Sequence, residues 1–262
     1  MRGLAARPLF WVCVVVLCLG IDALFIEPYR LQVTHYEVRG AVGTPLKIAQ
    51  LSDLHTHGVG RLERKVLAAL DAEKPDVIFI TGDSIASYGG TYQEVKEVYE
   101  RLHAPLGVWF VRGNWENDKP PRHEKAFYQE VGVHFLLNAN AELRPDVWVI
   151  GLNDPSSGPV HLDTALAGIP DGAYKVALFH APAFFDKIAA RVNLVLAGHT
   201  HGGQVRIPFV YPFWLPKGSG RFLEGWYQDG ATKMYVNRGL GMSILPVRFL
   251  CPPEVAIIRV HP

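Results

Sequence analysis

Leu196-Ala197-Gly198-His199-Thr200-His201-Gly202-Gly203-Gln204 sets two imidazoles two positions apart in a glycine-rich turn that follows an apolar run. In an extended segment residues i and i+2 face the same side, so His199 and His201 can meet at one metal ion or at two adjacent ones. Glycine on both flanks lets backbone or substrate come close. Further donors stand upstream: Asp53 with His55, then Asp83, Asn114 and His180. Each alone has an ordinary explanation, Asp83 as a helix cap, Asn114 as a turn residue, His55 or His180 as a hydrogen-bonded core histidine. Yet all of them follow apolar strand-like runs, and in α/β sheets ligand sites gather where strands hand over to loops at their carboxyl ends. Seven oxygen and nitrogen donors so placed suit two divalent ions of intermediate hardness, Mn first, with Fe, Zn or Co as the alternatives.

The elements that must position these donors alternate along the chain. Strands are predicted at Gln32 to Val38, Leu46 to Leu51, Asp76 to Ile80, Gly107 to Val111, Val133 to Leu137, Val147 to Ile150, Lys175 to Phe179, Asn193 to Ala197, Lys233 to Asn237 and Val255 to Val260. Apolar positions with helical spacing predict helices at Arg61 to Ala72, Tyr92 to Leu102 and Glu124 to Val131. This is the grammar of an α/β domain. The Pro- and aromatic-rich piece from Ile207 to Pro216 is the least regular segment, read either as a loop over the core or as an apolar lip beside the site.

In order, Asp53-Leu54-His55, Gly82-Asp83, Gly113-Asn114-Trp115-Glu116, His180 and Gly198-His199-Thr200-His201 resemble the motif series of the calcineurin-like metallophosphoesterase superfamily. The tract through Gln204, Asn237-Arg238-Gly239-Leu240-Gly241 and Cys251-Pro252-Pro253-Glu254 is similar to its membrane-associated branch. The resemblance implies a four-layer αββα sandwich with a two-metal site on one edge. It further implies that Asp53, His55 and His201 hold the first metal, that Asn114, His180 and His199 hold the second, and that Asp83 bridges them. Asn114, Trp115 and His180 are the positions expected to take part in catalysis. One of them departs from the pattern, since the family usually has histidine where this chain has Trp115. An indole offers one N–H donor and does not titrate, so a poor alkoxide would leave without a general acid. That favours phosphoanhydrides or activated diesters, unless His57, His123 or His161 reaches in as a substitute.

Composition bounds the rest. At 262 residues, 49% of them hydrophobic and 19% charged, the chain can bury a full core, and a net charge of +1 argues against a nucleic-acid polymer as partner. Of the three cysteines only Cys251 lies in the body, which excludes a disulfide framework there. The run from Leu9 to Ile26 is apolar apart from Asp22 and follows Arg2 and Arg7. A cleaved signal, a single-pass anchor and a helix lying in a lipid face compete for it, and the poor cleavage pattern favours a retained anchor. The expectation is therefore an anchor over residues 1–30 and a catalytic domain over 31–262, at the inner (cytoplasmic) membrane, with the side of the domain open. The expected activity is hydrolysis of a phosphate ester or pyrophosphate in a lipid-linked substrate, UDP-2,3-diacylglucosamine of the lipid A pathway being the most concrete. The alternative is a non-catalytic scaffold of the same fold that binds a protein partner.

Overall fold

The structure is a computed structural model that describes residues 6–262. Arg2 lies outside the described residues. The chain opens with α1 (Ala6–Ile21), which runs on through a π turn (Asp22–Ile26) and a 3-10 turn (Glu27–Tyr29). Over Pro8–Tyr29 this is long and apolar enough to cross a membrane.

Two six-stranded sheets follow. The first is built from β1 (Gln32–Arg39), β2 (Leu46–Leu51), β3 (Val77–Thr81), β4 (Val108–Val111) and β5 (Val133–Phe135), in the order β1, last strand, β2, β3, β4, β5. The second comprises β6 (Ala139–Arg144), β7 (Val147–Gly151), β8 (Tyr174–Leu178), β9 (Leu194–Ala197), β10 (Gly225–Asp229) and β11 (Thr232–Val236), in the order β10, β11, β9, β8, β7, β6. The last strand, β12 (Glu254–His261), lies between β1 and β2, parallel to the former and antiparallel to the latter. Near-continuous burial along β2, β3, β4, β8 and β9 is what strands covered on both faces require.

The two sheets face each other across one apolar layer in which Ile48, Phe79 and Val111 meet Val149, Val176 and Leu196. Outside the first sheet, α2 (Arg61–Glu73), α3 (Tyr92–Tyr99) and α5 (Glu124–Glu130) bury Val66, Val95 and Tyr128 against Ile80 and Phe110; the short α4 (Asn114–Asp118) intervenes in the chain. Outside the second, α6 (Leu162–Leu166) and α7 (Phe185–Ile188) bury Ala165 and Phe185 against Ala177 and Val195. The result is the expected αββα sandwich with one N-terminal apolar helix.

Residues 22–30 pack onto the body. Glu27 is fully buried, its Oε1 accepting the Cys251 N–H at 2.6 Å and its other oxygen pairing with Arg30, while the Ala23 carbonyl accepts the Arg248 N–H at 3.0 Å. Arg248 is itself fully buried and donates to the carbonyls of Arg238, Gly239, Gly241 and Cys251.

Candidate metal centre

Parallel pairing of β2 with β3 does not stop at the strand ends. His55 N–H donates to the Asp83 carbonyl and Thr56 N–H to the Ser84 carbonyl, both at 3.0 Å, so the turns after the two strands stay in register. From the second sheet, the end of β8 delivers His180 and the end of β9 delivers His199 and His201. Five of these donors have left-handed backbone: Asp53 (φ 49°), His55 (40°), Asp83 (53°), His199 (73°) and His201 (51°). Such conformations cost an L-residue energy, and they persist where the surrounding structure over-determines them, as at functional sites.

The histidine pair departs from the extended geometry expected for it. Between its two left-handed members Thr200 is helical (φ −77°, ψ −18°), because the strand has already ended at Ala197. His199 and His201 consequently face different neighbours. His201 gathers with Asp53 and His55, and His199 with Asp83 and His180, each trio offering ligand atoms within 4.8 Å of one another. His201 Nε2 lies 3.2 Å from His55 Nε2 and 3.3 Å from Asp53 Oδ1. Asp83 Oδ2 sits between the trios, 3.0 Å from His180 Nε2 and 3.8 Å from His55 Nε2. Asn114, at the start of α4, lines the same cavity of about 280 Å³ as Asp83, Trp115, His199 and His201. All seven sequence-selected donors thus come to one place.

Hydrogen bonds behind the imidazoles aim them. His180 Nδ1 pairs with the Thr81 carbonyl at 2.7 Å, His55 Nδ1 with the Ile85 carbonyl at 3.1 Å, and His199 Nε2 with the Lys217 carbonyl at 2.9 Å. A ring nitrogen that donates to a carbonyl leaves the opposite nitrogen as a lone pair toward the centre. Burial lowers His55 and His199 and takes His201 down to about 3, so these rings are neutral at pH 7. Burial raises Asp53 and Asp83 too, but the histidines outweigh it and hold both carboxyls below their ordinary value. For His180 burial opposes the charge of Asp83 and Asp53, and the two carboxylates win, holding it well above an ordinary imidazole.

Does this arrangement fit divalent ions? His55 and His201 confront each other nitrogen to nitrogen, and Asn114 Oδ1 is buried without a hydrogen-bond partner. Buried acceptors normally find a donor, and a cation between the trios would satisfy all of these atoms together. Two carboxylates, the neutral rings of His55, His199 and His201, and His180 once a metal ion displaces its proton are also the donor types that Mn, Fe, Co and Zn accept.

Glu116 is a positioning residue that the sequence reading left among the motif letters. Fully buried, it accepts N–H bonds from Asp83 (2.9 Å), Ser84 (2.7 Å), Ile85 (3.2 Å) and Gly113 (2.8 Å), tying the turn after β3 to the turn after β4. Glutamine has one acceptor oxygen for these four donors. Glu116→Gln should lower unfolding free energy by about 2–3 kcal/mol, because buried N–H groups lose their partner. Chemical denaturation of the metal-free protein checks this; a loss within error of zero would show that the turns hold themselves.

Trp115 borders the same cavity, its ring 6.3 Å from that of His55 at a right angle, with the Lys119 ammonium 5.7 Å from the ring centre. None of His57, His123 and His161 lines that cavity. His57 lies along a separate cleft of about 700 Å³ that reaches Phe25, and His161 along another cavity with Arg112. Lys217, just after the irregular segment, does line it, and no spacing in the sequence singled it out.

A family model described as calcineurin-like phosphoesterase matches residues 46–203. An uncharacterized metallophosphoesterase, YkuE of Bacillus subtilis (strain 168), is 32% identical over 253 residues, covering 90% of this chain and 87% of that protein. A transmembrane protein with metallophosphoesterase domain from Bos taurus is 29% identical over 80% of this chain and 52% of its own length. Among solved structures, a 5'-nucleotidase precursor from Thermus thermophilus superposes with a TM-score of 0.52 at 13% identity, over 83% of this chain and 54% of that one. A putative 5'-nucleotidase from Staphylococcus aureus, with a TM-score of 0.50, covers 84% of this chain, which spans just over half (55%) of that structure. At such identity the structural likeness speaks for the fold.

Proposed function

Because the chain belongs to the calcineurin-like phosphoesterase family, we propose that it is a two-metal phosphoesterase cleaving a phosphoanhydride or phosphodiester bond in a membrane-bound, amphiphilic substrate. The observation that carries this reading is the pair of donor trios, Asp53, His55, His201 and Asp83, His180, His199, with Asn114 on their shared cavity. The first trio would hold one ion; His180, His199 and Asn114 would hold the other; Asp83 would bridge. Manganese is our choice of metal, ahead of Fe, Zn or Co. Two such ions supply the positive charge that neutralises phosphoryl oxygens and makes a nucleophile available at neutral pH. The protein's own part is to place them. Thr81, Ile85 and Lys217 carbonyls fix the imidazoles, and Glu116 fixes the turn that carries Asp83. The Asn114 amide can donate to a phosphoryl oxygen from the cavity wall, and Trp115 closes the side on which a leaving group would depart.

Trp115 decides the substrate class. With no titratable donor at that position, a leaving group that is itself a phosphate, or an activated phenol, departs far more readily than an alkoxide. A nucleoside-diphosphate-linked lipid such as UDP-2,3-diacylglucosamine combines this anhydride with an apolar tail, and the apolar N-terminal helix would keep the enzyme at the inner membrane beside it, residues 1–30 serving as the anchor of a catalytic domain over 31–262. An assay of the manganese-loaded protein on a nitrophenyl alkyl phosphodiester and on the matching dialkyl phosphodiester, which differ in the basicity of the leaving group, tests the reading. We expect release of the phenolate to exceed release of the alkoxide by at least about a hundredfold. Activity on neither, with metal bound, would favour the scaffold alternative. In Trp115→His the dialkyl ester should gain on the nitrophenyl ester by at least about tenfold, since a titratable donor returns to the leaving-group side. An unchanged ratio would place Trp115 away from the scissile bond.

A further inference from the structure

Beside the metal centre, a second cavity of about 480 Å³ opens between the turn Ser243-Ile244-Leu245 and the segment carrying Ile207, Phe213 and Trp214. Among its lining residues is His201, the ring that belongs to the trio with Asp53 and His55. We propose that this cleft receives a hydrocarbon chain of the substrate, whose phosphate lies in the adjoining cavity of Asp83 and Asn114. The assignment rests on the phosphoesterase reading and adds the part of the substrate that the metals do not touch.

Three observations carry it. The amide and hydroxyl side chains of Gln204 and Thr200 along the cleft are already engaged, and of the lining residues only His201 has a buried side-chain atom, Nδ1, without a partner: Gln204 accepts the Ser243 N–H at 3.0 Å and donates to the Leu245 carbonyl at 2.8 Å, while Thr200 Oγ1 donates to the Leu223 carbonyl at 2.5 Å. A polar occupant would strip its own water for few new hydrogen bonds, whereas a hydrocarbon loses none. Secondly, the rim is apolar and exposed, with Phe213 at 86% and Trp214 at 60% of full accessibility. Ile244 and Leu245 line both this cleft and the cleft of about 700 Å³ that reaches Phe25 of the apolar N-terminal segment. A chain could thus pass from bilayer to cleft along apolar surface. Thirdly, Ile244 borders both this cleft and the cavity of Asp83, and it does so at φ 62°. A β-branched residue pays for that conformation, and here it puts the side chain on the divide between phosphate and chain.

The test uses full-length, manganese-loaded protein in phosphatidylcholine nanodiscs and a series of nitrophenyl alkyl phosphodiesters from ethyl to octyl. KM should fall by up to about fourfold for each added methylene until the cleft is full, with kcat nearly constant. Ile207→Asp and Leu245→Asp should flatten that series. Phe209→Asp should keep it, since Phe209 is fully exposed and borders none of the cavities described. Partition of long esters into the disc affects all three variants alike and cannot produce this difference. A flat series in the wild type, or a slope that survives both cleft variants, overturns the chain site and leaves the phosphoesterase reading standing. So does a light-scattering dimer that has buried the rim and shows no slope. Failure to cleave any member with metal bound defeats the phosphoesterase reading, and the chain site with it.

Discussion

Asp83→Asn is expected to lower turnover about a thousandfold and to leave the protein holding fewer than two metal ions per chain. Its Oδ2 stands 3.0 Å from His180 Nε2 and 3.8 Å from His55 Nε2, one atom serving both trios. An amide keeps the size and loses the charge. With only the Asp53 carboxylate left, the repulsion between two divalent ions would be offset less, so they should separate or one should leave, and in-line attack would lose its geometry. The fold should survive, because the backbone bonds from Asp83, Ser84 and Ile85 to Glu116 do not involve the altered side chain. His199→Ala or His201→Ala should retain more metal, each removing one neutral ligand. Elemental analysis beside initial rates decides: two ions per chain and ordinary turnover in Asp83→Asn would mean that Asp83 does not bridge.

Removing residues 1–21 and removing residues 1–30 should give different proteins. The shorter deletion takes away α1, and a folded, metal-binding domain should appear in the soluble fraction. The longer one also removes Glu27, leaving the buried Cys251 N–H without its 2.6 Å acceptor and Arg248 without a neighbouring negative charge. Loss of one partner of a buried charged cluster costs about 3–5 kcal/mol. For a domain of this size that lowers Tm by roughly 10 °C. Thermal unfolding of the two truncations, with metal present, reads the difference. Equal Tm values would show that the segment rests on the body without supporting it.

Why was so much of the centre legible beforehand, and the docking of Glu27 not? The donors could be read because each closes a strand whose apolar run is long enough to recognise, and the carboxyl ends of such strands are where ligands gather. Trp115 could be read because it breaks a pattern that its neighbours Asn114 and Glu116 keep. Strands β6 and β10 were missed for the opposite reason. Ala139–Arg144 and Gly225–Asp229 are edge strands, each paired on one side only, and neither holds a long apolar run: the first alternates Ala, Asn, Ala, Glu, Leu, Arg with no β-branched or aromatic residue, and the second, Gly-Trp-Tyr-Gln-Asp, does not alternate. The local path of the histidine turn was misjudged because left-handed backbone at His199 and His201 is imposed by contacts from elsewhere, among them the His199 N–H bond to Asp53 at 3.0 Å. Glu27 directly follows the apolar run that ends at Ile26, and nothing beside it in the sequence marks it as an acceptor. Its acceptor role depends on Cys251, which lies 224 positions away, and no periodicity encodes such a pairing.

The place of β12 has a consequence for how the molecule is made. Gln32 pairs with Glu254 and Lys47 with Arg259, so the edge strand β1 and its sequence neighbour β2 are joined only through the strand that leaves the ribosome last among those described. Until then the first sheet has a vacant slot with two unsatisfied edges, one of them tethered just after the apolar helix. Contacts of such long sequence separation form slowly, and open strand edges invite pairing with other chains. Synthesis at about 5–20 residues per second leaves this half-built sheet waiting for on the order of ten seconds or more. A nascent chain is therefore exposed to off-pathway strand pairing until Glu254–His261 arrives, and termination before Glu254 is expected to give aggregation-prone fragments in place of a smaller working domain.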